Sequence, residues 1–85
     1  MSLLPLDLQK LPPQALDVIR YLSTHGEQGT VDEIIEGTGL TKRGFRKAIR
    51  RLVTRFYVDM PNQDFYVLTR QGREAADVLR AYNGD

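Results

Sequence analysis

The chain has no cysteine and only one histidine, His25, among its 85 residues. The lack of cysteine excludes disulfide bonds, thiolate zinc sites and a cysteine nucleophile, and one imidazole cannot build a recognisable zinc site. A chain without disulfides suits a reducing compartment. The sequence therefore predicts a cytoplasmic protein that holds no metal.

Long apolar segments are also missing. No run approaches the roughly 18 consecutive apolar residues of a membrane-spanning helix, and the N-terminal stretch MSLLPLDLQKLPP has no basic region ahead of an apolar one. We therefore expect neither membrane insertion nor export.

Catalytic motifs are absent as well. Ser2 and Ser23 have no base near them in the sequence, and no phosphate-binding loop, Gly-x-Ser-x-Gly or Gly-x-Gly-x-x-Gly segment occurs. Carboxylates such as Asp32 and Glu36 would need a deep pocket to act as acid and base, which a domain of this size rarely offers. We expect no enzymatic activity and no cofactor.

Charge is segregated although the net charge is only +1. Residues 37–58 contain seven Lys or Arg and no Asp or Glu, which gives this segment +7. The remainder contains five basic and eleven acidic residues and sums to −6. A separation of this kind indicates a charged partner.

Turn and cap signals divide the chain into an arm and one domain. Pro5 and Pro12 among scattered leucines predict an extended arm over residues 1–12 that packs down through its leucines. One domain, residues 13–83, follows, since 85 residues leave no room for a second.

Two helices open this domain. The first begins at Pro13 and is predicted to end at a left-handed cap formed by His25-Gly26. Thr30 and Glu33 have the spacing of a capping box for the second helix, which the tight turn Gly37-Thr38-Gly39 ends at once.

The segment TKRGFRKAIRRLVTR, residues 41–55, predicts a third helix with Thr41 as its N-cap. Its apolar positions recur at helical spacing; they are Phe45, Ala48, Ile49, Leu52, Val53 and Phe56. The β-rich runs 56–60 and 65–68, separated by the turn cluster 61–64, then predict a hairpin.

The last predicted element is a helix capped by Thr69 and ending near Asn83-Gly84. Its apolar stripe consists of Ala75, Ala76, Leu79 and Tyr82.

This order of elements is that of a winged helix-turn-helix domain. Residues 33–53 resemble the helix-turn-helix core, and Tyr66, Leu68, Thr69 and Gly72 match the Tyr-x-Leu-Thr-x-x-Gly signature of MarR-like and PadR-like regulators. The resemblance covers residues 13–82. It implies a mainly α fold with a small β-hairpin: a three-helix core, a two-stranded wing and a C-terminal helix, used by transcriptional regulators to bind DNA.

The third helix has a cationic side opposite its apolar one. At 100° per residue its basic residues lie between about 100° and 240° from Phe45, with Lys42 and Arg55 at the borders. Like-charge pairs four residues apart disfavour a helix, and this helix contains five of them and no acid. A polyanion such as a nucleic acid backbone would neutralise them.

The resemblance and the charge together predict sequence-specific binding of duplex DNA, with the third helix in the major groove. The candidates for reading bases are Lys42, Arg43, Arg46 and Lys47. The candidates for phosphate contact are Thr41, Arg50, Arg51 and Arg55, and the candidates at the wing tip are Asn62 and Gln63. Gly44 allows close approach either of DNA or of the second helix.

Three further hypotheses stay open. The domain could dock on an acidic protein surface inside a larger assembly, since fold alone does not settle function. RNA binding is a second possibility, although Phe45 and Phe56 fall on the apolar side. A homodimer could also form through the C-terminal helix, using Ala75, Ala76, Val78, Leu79 and Tyr82.

Overall fold

A computed structural model describes residues 4–82, which form five helices and three strands. In chain order these are α1 Leu6–Gln9, α2 Pro13–Thr24, β1 Gln28–Thr30, α3 Val31–Thr38, α4 Lys42–Thr54, β2 Val58–Asn62, β3 Phe65–Leu68 and α5 Arg70–Tyr82. The strands form one antiparallel sheet in the order β1-β3-β2. The fold is thus mostly helical, and its hairpin is extended by a third strand that the sequence did not predict. The predicted end of α5 near Asn83-Gly84 lies outside the described residues.

The predicted helix starts are confirmed by their caps. The Glu33 N–H donates to Thr30 Oγ1 at 3.2 Å while Glu33 Oε1 accepts from the Thr30 N–H at 2.9 Å, which completes the capping box of α3. Thr41 Oγ1 accepts from the Gly44 N–H at 3.0 Å at the start of α4. Such caps satisfy amides that would otherwise lack a helical partner, and each contributes about 1 kcal/mol.

The core is built around α2, whose Val18, Ile19 and Leu22 are fully buried. Helices α3, α4 and α5 each contact α2, and β3 closes the remaining side. The predicted apolar row of α4 is buried at Phe45, Ala48, Ile49 and Leu52. Burial of a side chain such as Leu52 contributes about 1.5–3 kcal/mol, so this row fixes the rotation of α4 about its axis.

The prediction of an extended arm was wrong for residues 6–9, which form the single helical turn α1. The Pro5 carbonyl accepts from the N–H groups of Leu8 and Gln9, both at 3.0 Å. Proline is tolerated at the start of a helix because an N–H there would have no helical partner. Leu8 and Leu11 are 3% and 5% exposed, so the expected packing of this segment through its leucines is confirmed.

Strand β1, Gln28-Gly29-Thr30, is too short and too polar to show the alternation of apolar and polar residues that predicts a strand. Its pairing with β3 joins Gln28 to Val67 and Thr30 to Phe65. On the other side of β3 the register of β2 shifts between Asp59 and Asn62, where β2 has one residue more than its partner. A bulge of this kind, next to Pro61, makes an exposed edge strand a poor template for further pairing.

Helices α2 and α3 end in glycine residues with left-handed backbone conformation, Gly26 with φ of 77° and Gly39 with φ of 75°. Glycine is the usual residue there because it has no Cβ to clash. At the end of α4 the residue in the same position as Gly26, the second after the helix, is Phe56, with φ of 66°. For a residue with a side chain this conformation costs about 1–2 kcal/mol.

The assignment of Phe56 to the apolar side of the third helix was wrong. Its side chain is 73% exposed. The helical spacing fails here because α4 ends at Thr54, and the left-handed turn at Phe56 reverses the direction of its side chain.

No helix within residues 4–82 combines the length and the hydropathy needed to cross a bilayer.

Candidate nucleic-acid interface

The outer face of α4 is a continuous cationic surface. All seven basic residues of the segment are exposed, and six of them line one shallow depression along the helix: Lys42, Arg43, Arg46, Lys47, Arg50 and Arg51. Arg55, the seventh, follows the last helical residue as the C-cap. We call these seven residues the cationic face.

No side chain of the cationic face forms a salt bridge with another described residue. The four arginines elsewhere in the chain are all paired: Arg20 with Asp17, Arg70 with Glu74, Arg73 with Glu27, and Arg80 with Asp77. The five arginines of α4 and its C-cap are therefore the exception. The acids of α3, Asp32, Glu33 and Glu36, form no salt bridge with them within residues 4–82.

Local helix electrostatics adds to the positive potential. The first turn of α4 contains no acidic residue, and the N-terminal end of a helix has a partial positive charge from its unpaired N–H groups. Lys42 and Arg43 lie at this end. The five like-charge pairs of the face together destabilise the isolated helix by about 1–2 kcal/mol at low salt. This arrangement favours an anion close to the N-terminal half of α4.

Gly44 opens onto free space. Apart from the adjoining residues and the backbone of α4 itself, a Cβ built at this position would have only Thr41 Oγ1 within 4 Å among residues 4–82, at 3.2 Å, and no atom of α3. Close packing against the second helix, one of the two explanations that the sequence offered, is therefore not what requires this glycine. A partner that approaches α4 at Gly44 would meet backbone.

The hairpin is tied to the start of α3. The Val31 N–H donates to the Asp64 carbonyl at 3.0 Å, and β1 pairs with β3 directly beside it. The reversal of the hairpin lies at Gln63 and Asp64, with φ of 60° at Asp64. Asn62 was predicted at the tip, but it is the last residue of β2 and pairs with Phe65. Both Asn62 and Gln63 are exposed.

A cleft of about 550 Å³ separates α4 from the hairpin and the start of α3. Its walls carry both signs of charge, Lys42 and Arg46 from α4 against Asp32 and Asp64 from the opposite side. Gln63 lines the same cleft, whereas Asn62 does not. Of the predicted site residues, the structure therefore brings Gln63 to the cationic face through this cleft and leaves Asn62 outside it.

Tyr66 lies deep in this cleft and is 8% exposed. Its ring meets Phe45 edge-on, with the centroids 5.7 Å apart. Burial raises the pKa of the Tyr66 hydroxyl, and the nearby negative charge of Asp64 raises it further. The cleft thus contains two carboxylates, Asp32 and Asp64, whereas the depression on the open side of α4 is lined by basic residues alone.

The cap of α4 is held by a contact that the sequence did not signal. Gln71 Nε2 donates to the Arg55 carbonyl at 3.1 Å, and Thr69 Oγ1 donates to the Phe56 carbonyl at 2.6 Å. The same Thr69 oxygen accepts from the Gly72 N–H at 3.0 Å, as predicted for the cap of the last helix. The C-terminal end of the cationic face is thus fixed to the N-terminal end of α5.

Comparison with known proteins gives no family assignment: no protein-family model matches the chain, and a search of curated proteins found no match.

Proposed function

We propose that the protein binds duplex DNA through the cationic face of α4, as a small winged helix-turn-helix regulator of transcription. The observation that supports this most strongly is the pairing pattern of the arginines. Those outside the cationic face all have a carboxylate partner, and those on it have none among residues 4–82. A phosphate backbone would supply the missing counter-charge.

The arrangement of elements supports the same proposal. Helices α3 and α4 are joined by three residues, 39–41, and α4 keeps its outer side free of other described elements. A second helix presented in this way fits the major groove, which admits one α-helix. The β2–β3 hairpin follows α4 where the wing of such a domain would lie.

Roles within the cationic face follow from position along α4. In this binding mode the N-terminal half enters the groove, so Lys42, Arg43, Arg46 and Lys47 reach base edges, with arginine to guanine O6 and N7 as the favoured specific contact. Arg50, Arg51 and Arg55 lie further along and hold phosphates. Thr41 Oγ1 already accepts from Gly44, so its hydroxyl hydrogen is left to donate to a phosphate.

The cleft limits how DNA can dock. Asp32 and Asp64 on its far wall would repel a phosphate, so the backbone contacts lie along the depression on the open side of α4. In this geometry Gln63 is the nearest hairpin residue to the DNA, and Asn62 makes at most a peripheral contact.

The salt dependence of binding tests the proposal. Fluorescence anisotropy with a labelled duplex should give a log-log slope of about −4 to −5, as expected when four to six phosphates are neutralised. Structured RNA of equal charge serves as competitor, and we expect it to compete less well. Undetectable duplex binding at low salt, or a slope near zero, would contradict the proposal.

Selection of binding sites from random duplexes tests the division of roles. Arg43→Ala and Arg46→Ala should relax the preference at individual base positions, at a cost of about 1–3 kcal/mol for the preferred site. Arg51→Ala is the matched control, which should weaken all duplexes alike and reduce the salt slope by about 1. If all three variants behaved alike, base reading by the N-terminal half of α4 would be wrong.

A further inference from the structure

Lys42 and Arg46 lie where the cationic face meets the cleft. Both residues line the depression on the open side of α4, and both also line the cleft beside the hairpin. The other residues of the depression do not line the cleft; they are Arg43, Lys47, Arg50 and Arg51. Lys42 and Arg46 therefore adjoin a purely basic surface on one side and a surface with acids on the other.

Asp32 and Asp64 form the acidic wall of this cleft. The Val31 N–H donates to the Asp64 carbonyl, and Asp32 follows Val31 in the chain, so the backbone holds the two acids near each other. Both are exposed, and neither forms a salt bridge with another residue within 4–82. The cleft therefore presents two negative charges without a salt-bridge partner to any group that enters it.

The rest of the cleft strengthens the effect of these charges. Its lining includes the apolar side chains of Phe45, Ile49 and Phe65, and apolar walls concentrate the field of nearby charges. A cleft of about 550 Å³ is roughly one Debye length, about 8 Å, across at physiological salt, so the carboxylates are screened only in part. A phosphate inside the cleft would be repelled by both of them.

The fold does not need both of these charges. The Asp32 carboxylate favours the first turn of α3 through the helix dipole. Asp64 has a left-handed backbone, with φ of 60°, which asparagine adopts as readily as aspartate. Its bond with Val31 uses backbone atoms alone. An uncharged asparagine would therefore serve the turn of the hairpin equally well.

We propose, on the basis of the proposed DNA binding, that Asp32 and Asp64 are specificity determinants that reserve Lys42 and Arg46 for base edges. On a non-preferred sequence, a basic side chain that finds no matching base can still bind a phosphate. Nearby carboxylates penalise that contact more than a contact with a base edge, because a base pair has no net charge. Repulsion of the competing binding mode raises the specificity ratio, which is the affinity for the preferred site divided by that for other sequences.

This discrimination needs only one chain. The homodimer surface expected from the sequence on α5 is largely buried, since Ala75, Ala76 and Leu79 are 5%, 5% and 1% exposed and pack in the core of their own chain. Of the five predicted contact residues, Val78 and Tyr82 remain exposed. The expectation was therefore wrong for the three buried residues.

The specificity ratio tests the proposal directly. Fluorescence anisotropy compares a duplex that contains the selected site with a scrambled duplex of equal length and composition, at about 0.1 M salt. Asp64→Asn should lower the dissociation constant for the scrambled duplex about two- to fivefold and leave that for the selected site almost unchanged, because it removes one repulsive charge from the cleft. The specificity ratio should fall by the same factor. The salt slope for the scrambled duplex should become steeper by up to about 1, since one more phosphate is neutralised.

Asp59→Asn is the matched control. It removes the same charge from the same hairpin, but Asp59 does not line the cleft. The asparagine oxygen can still accept from the Met60 N–H, as Asp59 Oδ1 does at 2.8 Å. This variant should affect both duplexes alike and leave the specificity ratio unchanged. Asp32→Asn is the second test and should lower the ratio as Asp64→Asn does, and thermal unfolding checks that all three variants are folded.

The outcomes separate this inference from the proposed function. A specificity ratio that neither Asp64→Asn nor Asp32→Asn lowers would overturn the inference, while duplex binding by the wild-type protein would still support the proposed function. An equal fall in Asp59→Asn would also overturn it, because the effect would then follow net charge rather than the cleft. A protein that binds no duplex would overturn the proposed function and this inference together.

Discussion

Helices α4 and α5 have the same length, cap and packing but differ in whether their basic residues have acidic partners. Each has 13 residues, a threonine cap, a glycine at its third position and one face packed on α2. On α5 every arginine has an acidic partner. On α4 no basic residue has one among residues 4–82, and the helix contains no acid.

The apolar rows and the charge patterns of these two helices have separate causes. Both helices bury their apolar rows, so packing alone does not require the charge pattern of either. The outer face of α5 follows the pattern that favours a solvated helix, with opposite charges three or four residues apart. The outer face of α4 instead carries like charges at this spacing, which destabilises the helix. Under the proposed function, the bound anion offsets this cost.

Charge reversal on the two helices should give the largest difference. Arg46→Glu combined with Arg50→Glu is expected to weaken duplex binding by at least about 100-fold at low salt, because two attractive contacts become repulsive. The matched control on α5 is Arg70→Glu with Arg80→Glu. Anisotropy titrations should show it within about threefold of wild type, because α5 makes no proposed contact with DNA. Equal losses in both double variants would mean that binding follows net charge rather than the cationic face.

The next largest difference is expected between the two glycines at the third helical position, Gly72 of α5 and Gly44 of α4. A Cβ at Gly72 would overlap the Tyr57 carbonyl oxygen and the Leu68 side chain, so Gly72→Ala should destabilise the fold by about 1–3 kcal/mol. Gly44→Ala has space and should stay within about 1 kcal/mol of wild type, because the gain in helix propensity is set against a small shift of Thr41. Chemical denaturation measures both changes.

The DNA affinity of the Gly44→Ala variant tests whether DNA approaches the backbone at this position. We expect Gly44→Ala to weaken duplex binding although its fold is intact, because the methyl group stands where DNA would approach the backbone. An affinity equal to that of wild type would show that DNA does not come close at Gly44.

Adding or removing one acid should give the smallest effect. Lys47→Glu places a carboxylate within three or four residues of Arg43, Arg50 and Arg51 and is expected to stabilise the fold by about 0.5 kcal/mol. Glu74→Lys on α5 breaks the pair with Arg70 and should destabilise it by a similar amount, about 0.5 kcal/mol. Thermal unfolding at low and high salt should show both changes shrinking as salt screens them. A destabilised Lys47→Glu variant would contradict the view that α4 is under repulsion.

The regular elements could be predicted because their signals are local. Caps at Thr30, Thr41 and Thr69 and helical apolar spacing placed the long helices, since each depends on residues within a few positions. Strand β1 could not be found in this way. Its three residues take their structure from pairing with β3, far along the chain, and carry no alternation of their own.

The residues of the candidate site could be predicted from the sequence, whereas their surroundings in space could be predicted less well. Helical spacing alone placed the basic residues on the side of α4 opposite Phe45, and all of them are exposed. Their lack of acidic partners among residues 4–82 depends on where distant carboxylates lie, which no local pattern encodes. The link between Arg73 and Glu27 spans 46 residues of sequence, and the exposure of Phe56 follows from one backbone angle after the helix ends.

The three residues of β1 have a consequence for recognition. By pairing with β3, and through the Val31 bond to the Asp64 carbonyl, they fasten the hairpin to the start of α3. The hairpin is therefore tied to α3 through β1 and Val31, and it contacts α4 through β2. Under the proposed function, these attachments hold the hairpin beside α4, which lowers the conformational entropy lost on DNA binding and favours ligands of matching shape.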